Sequence, residues 1–215
     1  MYLSWNEKTI TDFSDKNIDK LYQEGYVFTR IKKGVMNQTR SVRIDLSQFE
    51  LSSENRRVLR KTENLNLEIK NLPLENYSWE IGKLAKDFYT QKFGDGTFSA
   101  NKIKELLNDK EKSNFNKVFI YTSDNEPLGY CISAETKTII HYCYPFYDLE
   151  KSPKDMGLGM MTRAVLWASE NNKKYIYLGS LQRPTDTYKL QFAGIEWFDG
   201  KNWQTNLAEL KTILK

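Results

Sequence analysis

Short stretches of the chain alternate between apolar and polar residues with the period of a β-strand, and others repeat apolar residues at helical spacing. Strand patterns occupy residues 26–31, 41–46, 65–70, 118–122, 128–133, 138–144 and 175–178. Helical patterns occupy residues 14–25, 78–92, 99–109, 157–171 and 185–192, and another helix begins at Ser52 or Ser53. Strands and helices of these lengths predict a mixed α+β protein.

The order of these elements is informative about the fold. Three strands between residues 118 and 144 are joined by short turns, which predicts an antiparallel meander. The helix at 157–171 is apolar nearly all round, as a buried helix is. This order resembles the GNAT acyltransferase fold, which implies a central mixed, mainly antiparallel sheet flanked by helices. We expect an N-terminal region, 1–75, and a catalytic region, 76–215, packed as one compact unit.

Composition excludes several classes of protein. The 215 residues are 40% apolar, 13% aromatic and 28% charged, so a disordered chain is not expected. The net charge of +4 permits an anionic partner without requiring one. The N-terminus lacks the pattern of an export signal and no eighteen apolar residues stand together, so neither export nor a membrane partner is expected.

The cysteines and the single histidine offer little metal chemistry. Cys131, Cys143 and His141 form no cluster with the spacing of a zinc or iron–sulfur site, so no metal is expected. Free thiols are the favoured state of the cysteines, although paired strands in a suitable register would allow a disulfide. His141 could be a general base, but a structural histidine with its hydrogen bonds satisfied is the favoured reading.

Four cations follow the second strand pattern. On a helix, Arg56, Arg57, Arg60 and Lys61 fall within an arc of about 140°, with Val58, Leu59 and Thr62 on the opposite side. Arginine forks suit phosphate oxygens, so the face fits a nucleic-acid backbone. The alternative is a solvated helix face partly paired with Glu54 and Glu63.

Three groups of residues carry a resemblance to a known family. They are Val42-Arg-Ile with Phe49, Ser53 and Arg56-Arg-Val-Leu-Arg-Lys61; Tyr177-Leu-Gly179 with Tyr188-Lys189, Phe192 and Asp199-Gly-x-x-Trp203; and Phe146-Tyr-Asp148 with Met156-Gly157. Together these groups span about Tyr26 to Trp203 and follow one another along the chain in the family's order. The chain thus resembles the arginyl-tRNA and leucyl-tRNA protein transferases, the N-end rule aminoacyltransferases.

Two departures from that family matter. Residues 35–40 stand where the family has a Cys-x-x-Cys pair within an N-terminal cysteine cluster, so the chain resembles a short form without that cluster. Metal dependence is therefore not implied. Residues 180–186 also replace a stretch common in the family, which leaves the transferred amino acid and the acceptor open.

The resemblance implies a cytoplasmic enzyme that moves an amino acid from charged tRNA to the N-terminal α-amine of an acceptor protein. Aminoacyl-tRNA is then a co-substrate, no separate cofactor is implied, and acceptors with an acidic first residue are candidates. The implied residues fall into three groups: catalytic Asp148, Tyr147, Tyr177 and Gly179; substrate-binding Arg43, Lys189, Tyr188 and Phe192; and tRNA-binding Arg56, Arg57, Arg60 and Lys61.

Individual roles have structural alternatives. Asp148 could orient or deprotonate the amine, or equally cap the following loop. Lys189 and Arg43 could meet an acidic acceptor side chain or the tRNA terminus, although Lys189 is equally well explained as a surface charge.

Two other functions fit the same chain. Met156-Gly-Leu-Gly159 at a helix start partly matches the loop that cradles pyrophosphate in acetyl-CoA-dependent N-acetyltransferases. A non-catalytic module that binds tRNA or protein N-termini would keep the basic helix face but not depend on the other residues.

Overall fold

The structure is a computed structural model that describes residues 3–215. Within these residues the strands are β1 (Asn6–Thr9), β2 (Tyr26–Phe28), β3 (Val35–Gln38), β4 (Ser41–Asp45), β5 (Asn66–Asn71), β6 (Lys117–Ser123), β7 (Glu126–Glu135), β8 (Ile139–Tyr147), β9 (Tyr175–Ser180), β10 (Ile195–Phe198) and β11 (Trp203–Gln204). The α-helices are α1 (Asp15–Gln23), α2 (Ser53–Lys61), α3 (Trp79–Phe93), α4 (Ala100–Asn108), α5 (Met156–Glu170) and α6 (Leu207–Ile213).

The described chain groups into two compact units that are discontinuous in sequence. The first unit contains residues 3–56, Glu135–His141 and Val165–Lys215. The second unit contains Arg57–Ala134 and Tyr142–Ala164. The predicted regions 1–75 and 76–215 follow a different division and stay a prediction.

The first unit contains a small three-stranded sheet and most of a second sheet. The small sheet has the order β1-β3-β2 and is antiparallel. The second sheet runs β11-β10-β4-β9-β8, with antiparallel pairs up to β9. The β8–β9 pair is parallel, and its register joins Ile139, Ile140 and His141 to Tyr175, Ile176 and Tyr177.

Helix α1 covers one face of this sheet. Ser14 caps the helix, its hydroxyl accepting the N–H of Asn17 at 3.4 Å. The buried residues Ile18, Leu21 and Tyr22 recur at helical spacing. The Tyr22 ring lies 4.8 Å from the ring of Tyr177 on β9, so the helix packs directly on the central strand of the unit.

The second unit continues the strand order as β8-β7-β6-β5 and adds three helices. Strands β5, β6 and β7 pair antiparallel, as the predicted meander requires. The Phe88 ring of α3 lies 4.8 Å from the Tyr147 ring of β8. The Tyr121 hydroxyl of β6 donates to the Met160 carbonyl of α5 at 2.9 Å, so helices flank the sheet here as well.

These observations confirm the predicted mixed α+β fold with a mainly antiparallel sheet flanked by helices. The helix predicted at 185–192 is present as a 3₁₀ helix, Pro184–Gln191. Asp186 Oδ2 accepts the N–H groups of Gln182 and Arg183 at 2.8 and 3.0 Å, which fixes the entrance to this helix. Strands β1 and β3 and helix α6 carry no sequence pattern strong enough to predict them.

None of the helices in residues 3–215 combines the length and apolar character that crossing a bilayer requires.

Thr62 fixes the end of α2 against α5 within the second unit. Its hydroxyl donates to the Val58 carbonyl at 2.9 Å and accepts from Nη1 of Arg163 at 2.8 Å. Arg163 also donates from Nε to the Leu65 carbonyl at 2.7 Å and from Nη2 to the Thr62 carbonyl. A Cβ added at Gly159 would lie 2.7 Å from Thr62 Oγ1, so α5 needs a glycine where it passes this hydroxyl.

Gly159→Ala should therefore destabilise the protein by about 1–3 kcal/mol, because the added methyl group meets a hydroxyl held by two hydrogen bonds. Urea unfolding would measure the change. In a Thr62→Ala background the same substitution should cost clearly less, because Oγ1 and Cγ2 are gone and only Cβ, at 3.0 Å from the added group, remains. An equal cost in both backgrounds would contradict the proposed contact.

Candidate functional site

Arg43 on β4 is the most heavily engaged charged residue of the first unit. Its Nε donates to Glu196 Oε2 at 2.6 Å, and its side chain is 5% exposed. Nη1 donates to Gln23 Oε1 at 2.8 Å and to the Tyr177 hydroxyl at 3.2 Å. The guanidinium carbon lies 3.9 Å from the Tyr175 ring centroid and 3.9 Å from that of Trp203. These contacts hold Arg43 inside the fold.

This environment favours structural roles for two residues that the sequence assigned to the reaction. Nε, Nη1 and the ring contacts engage the Arg43 guanidinium, so meeting a substrate through these groups would require it to leave them. Tyr177 is fully buried, and burial raises the pKa of its hydroxyl despite the neighbouring Arg43. Substrate binding by Arg43 and a catalytic role for Tyr177 stay predictions.

His141 is hydrogen-bonded to Tyr22. The Tyr22 hydroxyl accepts the Phe28 N–H at 3.3 Å and lies 2.9 Å from His141 Nδ1. Which of the two groups carries the proton between them depends on the imidazole tautomer. Nε2 is buried and has no hydrogen-bond partner in the described part of the chain.

The same surroundings keep this imidazole neutral. Burial, with a smaller effect from the Lys189 charge, lowers the pKa of His141 to about 3. A neutral imidazole whose Nδ1 is already hydrogen-bonded to Tyr22 is unsuited to act as a general base. The favoured interpretation from the sequence, a histidine with its hydrogen bonds satisfied, therefore holds for Nδ1. It does not hold for Nε2, which has no partner in the described residues.

Gly179 and Lys189 lie together at the end of β9. Lys189 Nζ donates to the Ser180 carbonyl at 3.0 Å. Gly179 has φ of +80°, which a residue with a side chain adopts with strain, and Nζ would lie 3.8 Å from a Cβ added there. The glycine thus lets the strand end in a left-handed conformation directly beneath an ammonium group. Their roles in the reaction stay predictions.

The other two predicted substrate-binding residues differ in exposure. Tyr188 is 47% exposed, and Lys189 Nζ lies 5.9 Å from its ring centroid. Phe192 is buried, with its ring 6.5 Å from that of Phe49. The family-like spacing of Phe49 and Phe192 therefore reflects packing within the first unit. A substrate contact is compatible with the position of Tyr188.

Tyr147 faces the start of α5 in the second unit. The Gly157 N–H donates to the Tyr147 hydroxyl, and burial raises the pKa of that hydroxyl despite this bond. A Cβ at Gly157 would lie 3.3 Å from the Tyr147 ring. The two glycines of Met156–Gly159 are thus explained by packing against Tyr147 and Thr62. The catalytic role of Tyr147 stays a prediction.

Asp148 adopts the capping arrangement that was one of its two sequence readings. Its Oδ1 accepts the N–H groups of Glu150 and Lys151, each at 2.9 Å. Its own N–H donates to the Leu128 carbonyl at 2.9 Å. These bonds hold the loop after β8 and leave Oδ2 outside them, so the role of Asp148 toward an amine stays a prediction.

The predicted basic residues all lie on α2, whose opposite side buries Asn55, Val58 and Thr62. Arg56 is exposed and donates to the Leu51 carbonyl at 2.5 Å, and Arg60 is exposed as well.

Asp155 offsets part of this charge. Its Oδ2 lies 3.2 Å from Nη1 of Arg57 and 3.5 Å from Nζ of Lys61. Desolvation opposes ionisation of Asp155, but the two cations outweigh it and lower the pKa of the carboxyl. Arg57 and Lys61 thus have a carboxylate partner distant in sequence, which a pattern limited to Glu54 and Glu63 does not include. Binding of tRNA by the four cations stays a prediction.

Arg40 is a residue that the sequence motifs do not single out. It lies just before β4, its side chain is half-buried, and its Nε is buried without a hydrogen-bond partner in the described part of the chain. A hydrophobic pattern cannot reveal a missing partner, so no sequence signal marks this residue.

No protein-family model matches the chain. A protein named aspartate/glutamate leucyltransferase from Saccharophagus degradans is 22% identical over 170 residues, which cover 76% of this chain and 70% of that protein. The protein of the same name from Vibrio parahaemolyticus is 23% identical over 167 residues, with the same two coverages. The names of these two relatives support the family resemblance inferred from the motifs.

Solved structures share the fold. That of L-PGS from Bacillus licheniformis has a TM-score of 0.50 at 14% identity, over 78% of this chain and 51% of that one. The described chain thus spans about half the length of that protein. Structural neighbours also include a GCN5-related glucosamine N-acetyltransferase region of a fungal enzyme, with a TM-score of 0.49 at 10% identity over 89% of this chain and 24% of that one. Neither likeness bears on activity.

Arg43→Met should lower the free energy of unfolding by about 3–5 kcal/mol, because it leaves the half-buried carboxylate of Glu196 without its partner. Arg43→Lys should have a free energy of unfolding between those of the wild type and Arg43→Met. Lysine keeps the positive charge but lacks the forked donors and the stacking of the guanidinium. Urea unfolding would measure both.

Lys8→Met is the matched control, since Lys8 pairs with Glu24 at 3.2 Å on the surface of the same unit and the two side chains are 42% and 41% exposed. Its loss should cost about 0–1 kcal/mol. Similar losses for Arg43→Met and Lys8→Met would show that Arg43 is not a structural centre.

Proposed function

We propose that this protein is an aminoacyl-tRNA-dependent transferase that adds an amino acid to the N-terminal α-amine of an acceptor protein. The observation that carries the proposal is the similarity to two proteins named aspartate/glutamate leucyltransferase, over three quarters of the chain. Motifs in the sequence resemble the same family independently of that comparison. Leucine is accordingly the first amino acid to test, with arginine the second.

The proposed reaction needs positioning more than covalent help. The amine nitrogen attacks the carbonyl carbon of the aminoacyl ester and a C–N bond forms. The bond from that carbon to the ribose oxygen breaks, and the proton lost by the amine ends on the ribose hydroxyl. Holding amine and ester at attack distance supplies much of the rate, together with a donor for the developing oxyanion.

Lys189 is a proposed contact for the acceptor's acidic side chain or for the tRNA terminus. Its ammonium lies above Gly179, where the strand end has no side chain, so a substrate group could approach it. Asp148 Oδ2 and the adjacent Tyr147 are separate proposals within the second unit, with Asp148 as the acceptor for the amine proton. Tyr188 is the proposed exposed contact for the substrate.

Helix α2 is the proposed contact for the tRNA backbone. Arg56 and Arg60 are exposed, and Arg57 and Lys61 pair with a carboxylate that a phosphate could replace. Acceptors beginning with Asp or Glu are proposed from the names of the two relatives. The reaction would take place in the cytoplasm, where charged tRNA is found, would use no separate cofactor, and would mark proteins for degradation by the N-degron route.

Acetyl transfer from acetyl-CoA is the second candidate on this fold. Its sequence support was the Gly-Leu-Gly start of α5, and both of these glycines have packing partners that explain them. The Gly157 N–H, which a pyrophosphate would need, is already donated to Tyr147. Acetyl transfer is therefore the less well supported of the two candidate functions.

Purified protein should transfer radiolabelled amino acid from a mixed pool of charged tRNA to peptides that begin with Asp or Glu. Ribonuclease should abolish the transfer, and peptides that begin with Ala should remain unlabelled. Labelling from acetyl-CoA alone would overturn the proposal in favour of acetyl transfer. No labelling from either donor would favour a non-catalytic binding module.

Changes on α2 and at its acidic neighbour Asp155 should alter tRNA affinity in opposite directions. Asp155→Asn should tighten binding several-fold at low salt, because it removes a negative charge that competes with phosphate for Arg57 and Lys61. Arg60→Met should weaken binding and reduce the slope of log K against log salt by about 1. Filter binding across a salt series would measure both.

Lys211→Met, which removes an exposed cation from α6, is the control for net charge. If it weakens tRNA binding as much as Arg60→Met does, the effect is one of total charge and α2 is not the contact.

A further inference from the structure

Arg40 carries a charge that no side chain balances. Its side chain is half-buried, and its Nε is buried with no acceptor within residues 3–215. No carboxylate in the described part of the chain pairs with it, and burial alone lowers the pKa of its guanidinium. A desolvated charge without a partner is costly, so such groups are retained in proteins mainly where a ligand completes them.

A second cation, Lys189, is linked to Arg40 through backbone groups at the end of β9. The Arg40 carbonyl accepts the Leu181 N–H at 2.8 Å. Ser180, the preceding residue, gives its carbonyl to Lys189 Nζ at 3.0 Å. Arg40 and Lys189 are therefore joined through two consecutive residues at the end of β9, all within the first unit.

Ser41 adds a neutral donor at the same strand end. It lies opposite Ser180 in the β4–β9 register and is fully buried. Its hydroxyl has no hydrogen-bond partner in the described residues. Arg40 and Ser41 thus both have buried polar atoms without a partner within residues 3–215. Side chains of adjacent strand residues project to opposite faces, so the proposed site rests on Arg40 and not on Ser41.

We propose that Arg40, with Lys189 beside it, binds the side-chain carboxylate of an acidic N-terminal residue in the acceptor. This inference rests on the proposed transferase function and names the residue that would select its acceptor. A guanidinium with one edge buried presents its remaining N–H groups as a fork for a single planar anion. The exposed cations of α2 are better suited to a run of phosphates.

The same environment explains how the site would discriminate. A neutral amide of the same shape, as in Asn or Gln, would leave the desolvated guanidinium without a counter-charge. Acidic acceptors should therefore exceed their amide counterparts by a factor set mostly by Arg40. Arg43, three residues along, has its own carboxylate in Glu196 and contributes nothing to this choice.

The first test compares transfer to matched peptides that begin with Asp or Asn, and with Glu or Gln. Arg40→Met should lower kcat/KM for the acidic peptides by about 10- to 100-fold, the value of a charge-assisted hydrogen bond, and leave the amide peptides unchanged. Arg40→Lys should retain part of the preference, and Lys211→Met all of it. An unchanged ratio of Asp to Asn peptide in Arg40→Met would overturn the proposal.

A binding measurement separates this proposal from the proposed reaction. Fluorescence anisotropy of labelled Asp- and Asn-peptides needs no tRNA, so it reports on Arg40 even if the wild-type protein transfers nothing. Tighter binding of the Asp-peptide that Arg40→Met abolishes supports the site; equal binding of both peptides by the wild type refutes it. If Arg40→Met instead raises the KM for charged tRNA and leaves peptide binding intact, the anion is a phosphate and the proposal is wrong. Circular dichroism of each variant controls for folding.

Discussion

A buried guanidinium organises the first unit. Arg43 is enclosed by groups from five elements: Gln23 of α1, Tyr175 and Tyr177 of β9, Glu196 of β10, Trp203 of β11 and its own strand β4. A buried charge is tolerated only when it is paired and its donors are satisfied, so these elements must all be in place before Arg43 can be. The hydrogen bond from Arg43 Nη1 also positions the Tyr177 hydroxyl. Tyr22 packs against the Tyr177 ring and is hydrogen-bonded to His141.

The two arginines that flank the start of β4 illustrate how position determines what a charge can do. Arg43 lies where carboxylate, amide, hydroxyl and two aromatic rings converge, and it contributes to stability and to a single packing arrangement. Arg40 lies three residues earlier, where the strand begins and residues 3–215 supply no acceptor for its Nε. The first residue has partners for its Nε and Nη1 within the fold, whereas the second has a buried donor without one. The second is therefore the better candidate for recognition.

Much of the architecture follows from sequence patterns, because the long strands and helices have strong periodicity of their own. The meander, the buried helix α5 and the capped helix α1 are examples.

Side-chain partners were less predictable. Glu196 lies 153 residues from Arg43 and Asp155 lies 98 from Arg57, separations at which no local pattern reports a contact. Residues such as Phe192 and Tyr177 match family motifs whether they pack or react, so their spacing alone could not distinguish the two. Strand β3 was missed because its identity depends on pairing with β1 and β2 on both sides.

The Tyr22–His141 pair has a consequence for how the protein responds to acidity. The chain contains one histidine, the residue type that ordinarily changes charge between pH 5 and 8, and its imidazole is held neutral throughout that range. The folded protein therefore takes up or releases no proton at His141 in this range. The unfolded chain does, because its histidine has the ordinary pKa of about 6.5, so acidification below that pH favours unfolding. Any bell or slope in the rate of amine acylation across this range would follow the ionisation of the acceptor's own α-amine, whose ordinary pKa is about 7.7–8.0. The molecule would then sense pH through its substrate.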